Sequence, residues 1–192
     1  QGTERLVVLW SGRNEAVGTA LLDLLRRLKE AGSEVHLLIP GEQANTRGAE
    51  ALGMRPDVLP GYRSIDDEET RAQFEQAWQA DLPEGVGLDV RGMLEKAAAG
   101  QLQGLYLAGA NIMDTYPDRA LAEAALERLP FVVVQDLFLT ETAKKADVIL
   151  PVTSFTEKSG HYTAFDGTVQ PIGEAVMRES GESRSDRAIF QG

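Results

Sequence analysis

The sequence predicts an α/β domain in which a mostly parallel β-sheet is covered by helices on both faces, giving three layers. The first observation is a series of short apolar, β-branched runs that alternate with segments of helical periodicity. The second is that glycine, proline or short polar side chains follow most of these runs, as at strand ends. Strands that alternate with helices in this way form parallel sheets with helices on both sides.

The composition is that of a globular protein and excludes several kinds of site. Of the 192 residues, 43% are hydrophobic and 26% are charged. Cysteine is absent, so this chain can ligate neither an iron–sulfur cluster nor a thiolate zinc ion. The net charge of −11 disfavours nucleic-acid binding, which needs clustered lysine and arginine. No apolar run approaches the ~20 residues of a membrane-spanning helix, so we expect no direct membrane insertion.

The start of the chain predicts a strand, a helix and a second strand. Arg5–Trp10 is an apolar run typical of a buried strand. Apolar residues recur at helical spacing over Val17–Lys29, and Gly32 is the predicted stop of that helix. Val35–Ile39 is the second predicted strand. The first residue is Gln rather than Met and no secretory signal is seen, which suggests an excised fragment or a processed start.

The segment 41–63 is predicted to be an irregular loop, because glycines and prolines recur through it. A loop of this length in a compact domain is more often functional than a simple connection. A plain surface excursion explains the same composition, and both interpretations stay open.

The middle of the chain predicts two helices. Ser64 is placed to cap a helix that runs to about residue 79. The acidic run 66–69 then lies in its first turn, where the helix dipole favours negative charge; metal binding by these carboxylates is the alternative. Residues 82–88 form a connector, and Asp89–Ala99 is the second helix.

The second half of the chain continues the alternation. The predicted strands are Leu105–Ala108, Phe131–Val134 and Val148–Leu150, and the predicted helices are Asp118–Leu129 and Glu141–Ala146. Pro117 suits the start of the longer helix, and Thr140 can cap the shorter one. From Pro171 onward the chain is polar and rich in Gly and Ser. The predicted domain therefore covers 1–170, and 171–192 is a predicted tail or linker.

Ligands of such sheets bind at the carboxyl ends of the strands. The candidate binding segments are therefore 11–14, 41–48, 109–114 and 135–142. None carries the glycine fingerprint of a dinucleotide site or a P-loop, and no hydrolase nucleophile elbow is present. Asp136 could hydrogen-bond a ribose or a guanine, or cap the following turn. His36 is predicted to be structural, and His161 is either a binding residue or simply exposed.

Four segments, in order, resemble motifs of the molybdopterin oxidoreductases. They are Asn45–Gly61, Leu107–Asn111 with Pro117-Asp118, Val133–Ala143 and Ala146–Gly160. Each segment is weak alone, but their common order over about Arg5–Gln170 makes the resemblance specific. It implies a three-layer, Rossmann-like domain of the formate dehydrogenase type.

Within this family, Phe155–Gln170 is similar to the large iron–sulfur subunit of respiratory complex I, the NADH-quinone oxidoreductase. In that subunit the clusters lie near the N-terminus, and the C-terminal part keeps the fold, generally without the pterin. The resemblance implies a scaffold domain with no catalytic residue, metal or cofactor of its own. It implies as partners the other domains of the parent subunit and other complex I subunits, in the cytoplasm at the inner face of the cell membrane.

The alternative is a domain that binds molybdopterin guanine dinucleotide in an active molybdenum or tungsten oxidoreductase such as formate dehydrogenase. Under either hypothesis the resemblance marks the same positions, as a working or a vestigial site. They are Asn45, Gly48, Gly109, Asn111, Gln135, Asp136, Thr140, Glu141, Thr142, Lys158 and His161. The strand-end residues would hold the guanosine half, whereas Lys158 and His161 would approach the pterin.

Departures from the family pattern favour a domain that has lost its ligand. Active relatives usually have Gly-Thr at Gly160-His161, Asn at Ala164 and Arg at Thr168, and Ile112 stands where they have Pro. Between 131 and 170, five acidic residues outnumber three lysines, which makes a poor cradle for a dianionic pyrophosphate. A third hypothesis, an unrelated nucleotide-binding α/β protein, is disfavoured by the missing glycine fingerprint.

Overall fold

The computed structural model describes residues 5–12, 14–41, 43–177 and 181–192. Arg13 and Glu42, which belong to two of the predicted binding segments, lie outside the described residues. So do residues 1–4 of the predicted domain and residues 178–180 of the predicted tail. The chain divides into two compact units. Unit 1 is Gln1–Arg63 with His161–Pro171, and unit 2 is Ser64–Gly160 with Ile172–Gly192.

Unit 1 is built on a parallel strand–helix–strand motif. Its first elements are β1 (Arg5–Leu9), α1 (Glu15–Glu30) and β2 (Glu34–Leu38). The two strands pair in parallel, with Arg5 opposite Glu34. Helix α1 begins where Asn14 Oδ1 accepts a hydrogen bond from the Val17 amide at 3.1 Å, and it ends before Gly32, whose φ is +94°. The first predicted strand, helix and strand are therefore confirmed.

The prediction that the first strand is buried is wrong. In β1, Val7 is 58% exposed and Leu9 is 70% exposed. Among the described residues, the sheet that contains β1 has only β1 and β2, whereas parallel sheets are normally covered on both faces. The apolar pattern thus indicated the strand correctly, but not its exposure.

The segment 41–63 is more ordered than predicted. It contains α2 (Thr46–Ala51) and β3 (Val58–Leu59), and β3 pairs with β4 (Arg63–Ser64). Its glycines serve tight turns: Gly53 and Gly61 have φ of +85° and +84°, and the Gly61 amide donates to the Ala51 carbonyl at 2.7 Å. Glycine and proline here end a short helix and shape turns, rather than excluding regular structure.

Unit 2 contains a three-stranded parallel sheet. Its elements are α3 (Glu68–Trp78), α4 (Val90–Ala98), β5 (Leu105–Ala108), α5 (Ile112–Thr115), α6 (Arg119–Arg128), β6 (Val132–Asp136), β7 (Val148–Pro151) and α7 (Asp186–Gln191). The strands β8 (Gly160–Thr163) and β9 (Val169–Ile172), which pair with each other, lie mainly in unit 1. Strand β6 is central and pairs in parallel with β5 and with β7. The predicted α/β class with parallel sheets is confirmed. The Rossmann-like layering of the whole chain stays a prediction.

The hydrophobic core lies in unit 2. Its buried cluster consists of Leu94, Ala97, Leu107, Ile112, Met113, Ala122, Ala125, Leu126, Leu129, Val132, Val134 and Ala143. Helix α4 packs on α6, and the side chains of the central strand close the cluster, with Val134 fully buried. The central strand β6 of unit 2 is therefore covered, whereas β1 of unit 1 is not.

One predicted cap and one predicted helix in unit 2 turned out differently. Helix α3 is capped by Asp67 rather than Ser64, since Asp67 Oδ2 accepts from the Thr70 amide at 3.3 Å. Residues 141–146 form only a short 3-10 turn at Ala143–Lys145. Among the described residues there is no group of three or more histidines and carboxylates able to hold a metal ion. Nor does the described part of the chain contain a helix long and apolar enough to cross a membrane.

The segment after Pro171 carries more structure than its composition predicts. Ser185 caps α7 by accepting from the Ala188 amide at 3.3 Å. Just before it, the Arg184 amide donates to the Pro151 carbonyl at 3.1 Å, and the Arg184 carbonyl accepts from the Thr153 amide at 3.0 Å. The polar segment is thus bonded to the end of β7.

Candidate functional site

The carboxyl ends of β5 and β6 bring two of the predicted binding segments together. The Gly109 amide donates to the Gln135 carbonyl at 2.8 Å. Gly109 has a φ of +62°, a conformation that glycine adopts readily because it has no Cβ. The chain leaves β5 here and enters the short helix α5, which was not predicted.

Asn111 and Thr142 form a buried network of hydrogen bonds. The Thr142 hydroxyl donates to Asn111 Oδ1 at 2.8 Å and accepts from the Met113 amide at 3.0 Å. Thr142 is fully buried. On the other side, Asn111 Nδ2 donates to Asp114 Oδ2 at 2.7 Å, and Arg119 donates to the second oxygen of Asp114 at 3.1 Å. These two predicted site residues therefore join α5 to the turn before β7.

Gln135 is the centre of a second network, which we call the strand-end cluster: Tyr106, Gln135, Lys158 and Asp186. Gln135 is 1% exposed. Its Oε1 accepts from the Tyr106 hydroxyl, and its Nε2 donates to Asp186 Oδ1 at 2.7 Å. Lys158 Nζ donates to the other oxygen of Asp186. Asp186 thus takes up both the amide and the ammonium group.

The electrostatics of the strand-end cluster favour a charged Asp186. Burial raises the pKa of Asp186, but the hydrogen bonds from Lys158 and Gln135 outweigh it, so that the pKa lies below its ordinary value. Phe190 of the same helix lies against the Tyr106 ring, with ring centroids 5.8 Å apart. Helix α7 is therefore held at the sheet by both polar and aromatic contacts.

The remaining strand-end residues of unit 2 make local bonds. Asp136 Oδ1 accepts from the Leu137 amide at 2.7 Å, which is the turn-capping role that had been one of its two predicted roles. Thr140 Oγ1 accepts from the Ala143 amide at 3.1 Å. Glu141 is exposed and pairs with Lys144, with 2.5 Å between Oε1 and Nζ.

All three lysines between residues 131 and 170 are paired with carboxylates. Besides the pairs of Lys144 and Lys158, Lys145 Nζ lies 2.9 Å from Glu127 and 3.3 Å from Glu123. Hydrogen bonds from Glu127 and Glu123 raise the pKa of Lys145. Residues 131–170, which carry much of the family resemblance, therefore offer no unpaired ammonium group.

The other predicted site residues lie in unit 1. Asn45 Oδ1 accepts from the Thr163 amide at 2.9 Å, across 118 positions of sequence. Gly48 is buried directly beneath that side chain, since a Cβ there would lie 2.2 Å from Asn45 Oδ1. His161 is exposed. Asn45 and Gly48 thus fasten β8 to helix α2.

A cavity of about 660 Å³ lies at the carboxyl ends of β1 and β2, where two further binding segments were predicted. Ser11, Gly41 and Arg47 line it together with Tyr62. Tyr62 adopts a φ of +59°, unusual for a side chain of this size, and its hydroxyl donates to the Arg47 carbonyl at 3.0 Å. Tyr62 was not predicted.

Sequence reasoning also missed Asp186 and Tyr106. Tyr106 lies within a strand and gave no signal of its own. Asp186 lay in a segment whose Gly and Ser content predicted a tail. A signal was present, because Ser185 followed by the apolar residues 188–190 is typical of a helix start.

The family is shown by comparison with known sequences. The profile of the molybdopterin oxidoreductases matches residues 9–192. A G-type subunit (G 2) of the NADH-quinone oxidoreductase of Rhizobium meliloti (strain 1021) is 41% identical over 168 residues, which are 88% of this chain and 20% of the relative.

Two other relatives have different names. The assimilatory nitrate reductase catalytic subunit of Bacillus subtilis (strain 168) is 42% identical over 77% of this chain and 21% of the relative. A formate dehydrogenase subunit alpha of Methanocaldococcus jannaschii is 40% identical over 78% of this chain and 22% of its own length. The chain spans about a fifth of the length of these relatives. It belongs to the molybdopterin oxidoreductase family.

Proposed function

We propose that this chain is a scaffold domain from the large iron–sulfur subunit of an NADH-quinone oxidoreductase of the complex I type. Its parent would carry electrons from NADH to quinone, and the domain would supply structure rather than catalytic residues. The 41% identity to a subunit of an NADH-quinone oxidoreductase supports this parent. The internal pairing of the family-like residues supports the structural role.

The observation that carries the proposal is the engagement of Lys158 and Gln135 by Asp186. A dinucleotide would need these donors for its own phosphate or base oxygens. Here a carboxylate of the same chain already accepts from both, and the lowered pKa of Asp186 keeps that carboxylate ionised.

The same reasoning applies to the buried Asn111–Thr142 network. Each polar atom that a guanosine would address there has a partner within the protein. Freeing one of them would leave a buried donor or acceptor unpaired, at about 1–3 kcal/mol. The donor set in this arrangement does not fit a pterin dinucleotide, and we propose that this fragment holds no cofactor.

The wider setting follows from the proposed parent. The iron–sulfur clusters would belong to other parts of that protein, since this chain has no cysteine to ligate them. Its partners would be the other domains of the parent subunit and neighbouring complex I subunits. The assembly would lie in the cytoplasm, on the inner face of the cell membrane.

Cofactor recovery tests the proposal. The chain is produced in a host that makes molybdopterin guanine dinucleotide and is then assayed for the released pterin, while calorimetry with GDP probes the guanosine half. We expect neither stoichiometric pterin nor saturable GDP binding. Either one would overturn the scaffold role.

A variant pair sharpens this test. Asp186→Ala removes the carboxylate that occupies Gln135 and Lys158, and Asp66→Ala removes an exposed carboxylate of unit 2 as the matched control. We expect any gain in GDP affinity to occur in Asp186→Ala alone. An equal gain in both variants would show that general charge, rather than occupied donors, governs binding.

The scaffold role is tested in the parent by Gln135→Met. This change should lower the amount of assembled oxidoreductase while the turnover per assembled complex stays the same. A normal amount of complex with reduced turnover would place Gln135 in the reaction and contradict the proposal.

A further inference from the structure

One buried hydroxyl in unit 2 has no hydrogen-bond partner. Thr153 is 3% exposed, and its Oγ1 is the one buried side-chain nitrogen or oxygen found unpartnered in the described part of the chain. The Thr153 amide already donates to the Arg184 carbonyl, so only the hydroxyl is left over. Folded proteins rarely leave a buried polar atom unpaired, because its lost hydration is not replaced.

Thr153 lines a cavity of about 860 Å³ beside the start of helix α7. This size suits a small-molecule ligand. The cavity is also lined by Lys158, Arg184 and Arg187, and by the carboxylates of Glu157, Glu174 and Asp186. The orphaned hydroxyl therefore lies in the wall of a charged cavity rather than within the apolar core.

Only some of these charges are available to a ligand. Lys158 and Asp186 are paired with each other, and Glu157 accepts from the Ser154 amide at 2.8 Å. By contrast, Arg184 and Arg187 have no side-chain hydrogen bond or ion pair to any described residue, and neither does Glu174. Arg184 and Arg187 therefore offer two unpaired guanidinium groups, and the carboxylates of Glu157 and Glu174 balance their charge in the same wall.

We propose that this cavity binds a small oxyanion of the phosphate or carboxylate class. Arg184 and Arg187 would supply the charge, since the planar guanidinium group matches the oxygens of both groups. The Thr153 hydroxyl would donate to an oxygen of the ligand, which gives the orphaned atom its partner. This binding role goes beyond the scaffold proposal and uses none of the bonds on which that proposal rests.

Anion titrations of the whole chain test the proposal. Thermal unfolding and calorimetry are recorded with inorganic phosphate and with succinate, each against sodium chloride at the same ionic strength. We expect at least one oxyanion to raise Tm and to bind saturably, and the two series distinguish phosphate from carboxylate as its source. No effect beyond that of chloride in either series would overturn the proposal.

Arginine variants locate the binding. Arg187→Gln and Arg184→Gln keep a polar side chain and remove the charge, whereas Arg91→Gln does the same on the exposed face of α4. Each cavity variant should weaken oxyanion binding at least tenfold, and Arg91→Gln should leave it unchanged. Equal losses in all three variants would mean that the anion binds to general positive charge, which contradicts a defined cavity.

The near-isosteric change Thr153→Val gives an independent test, because the direction of the change in stability can be predicted both without and with the oxyanion. Without an oxyanion, the variant should be at least as stable as the parent chain, because the hydroxyl it loses has no partner. With the oxyanion, its gain in Tm should be smaller than that of the parent chain. A variant that is destabilised without ligand would show that the hydroxyl already has a partner, and it would overturn the assignment of Thr153.

Discussion

The two parallel sheets of this protein have the same local pattern but opposite surroundings. In unit 2 side chains of β5 and β6 join a core of twelve buried residues, while Val148 and Ile149 of the edge strand β7 are exposed. In unit 1 the apolar side chains of β1 are mostly exposed and those of β2 are half-buried, and among the described residues of that unit only Leu25 and Leu59 are buried hydrophobic side chains. An apolar strand pattern thus predicts pairing more reliably than it predicts burial.

The two units also differ in the polar residues at the carboxyl ends of their strands. In unit 2 the polar residues at the carboxyl ends bond to one another, through Thr142 with Asn111 and through Asp186 with Gln135. In unit 1 the strand ends open into a cavity lined by Arg47, whose guanidinium group has no hydrogen bond to a described residue. A covered central strand with paired strand ends is consistent with the proposed scaffold role, and the contrast between the two units can be tested directly.

The largest expected effect is the difference in stability loss between truncating a buried leucine and truncating an exposed one. Leu94→Ala removes a side chain that is 1% exposed and should lower the free energy of unfolding by ~2–5 kcal/mol. Leu9→Ala removes the same atoms from a site that is 70% exposed and should cost no more than about 0.5 kcal/mol. Denaturant unfolding measures both. Similar losses would break the comparison between the sheets.

Two threonines give the next contrast. Thr142→Val leaves the Met113 amide without its partner in a buried place and leaves Asn111 Oδ1 only the longer bond from the amide of residue 142, and should cost ~1–3 kcal/mol. Thr46→Val removes a hydroxyl of unit 1 that bonds only to the backbone of Gln43 in a solvated turn, and should cost about 0.5 kcal/mol. Urea unfolding of both variants checks the order, and a larger loss for Thr46→Val would contradict it.

Acid should weaken the strand-end cluster. The pKa of Asp186 is lowered in the folded state, so its contribution to stability is present above the ordinary Asp value of ~3.9 and is lost as the pH falls through the lower folded value. The loss should therefore begin below about pH 4. Unfolding free energies from pH 6 to pH 3 should fall less steeply in Asp186→Asn.

The control for this pH dependence is the same change in a Lys158→Met background. Because the bond to Lys158 is one cause of the lowered pKa of Asp186, Asp186→Asn should then flatten the curve by less. If Asp186→Asn flattened the pH dependence of the unfolding free energy equally in both backgrounds, the loss of stability in acid would not come from the Lys158–Asp186 pair.

The smallest expected effect concerns Glu141. Glu141→Gln breaks an exposed pair with Lys144 and should change the free energy of unfolding by less than about 0.5 kcal/mol, because such pairs are well solvated and screened by salt. A loss above 1 kcal/mol would mean that the Glu141–Lys144 pair stabilises the loop after β6 more than an exposed ion pair should. Denaturant unfolding at low and high salt distinguishes the small loss from the large one.

Most of the fold could be predicted because strands and long helices carry a periodic signal. The helix from Glu15 to Glu30 and the strand Leu105–Ala108 follow directly from apolar spacing. Short elements carry no such signal, which is why α2 and α5 were missed. The burial of β1 could not be predicted, since it depends on how many strands share its sheet.

The candidate site was predicted only as a set of positions. The motif-matched residues Asn111, Gln135 and Thr142 do gather at the strand ends, but the sequence could not show that they bond to one another. The main reason is Asp186, which reaches Gln135 across 51 positions. Hydrogen bonds between residues so far apart depend on tertiary packing that no local pattern records.

The most direct test of the central claim is a double-mutant cycle between Gln135 and Asp186. Gln135→Met, Asp186→Ala and the double variant are unfolded in urea, and the coupling energy between the two side chains is derived. We expect a favourable coupling of about 1 kcal/mol, as is usual for a partly exposed hydrogen bond to a charged group. A coupling of zero would mean that the two side chains do not stabilise each other, and would contradict a strand-end cluster that serves structure.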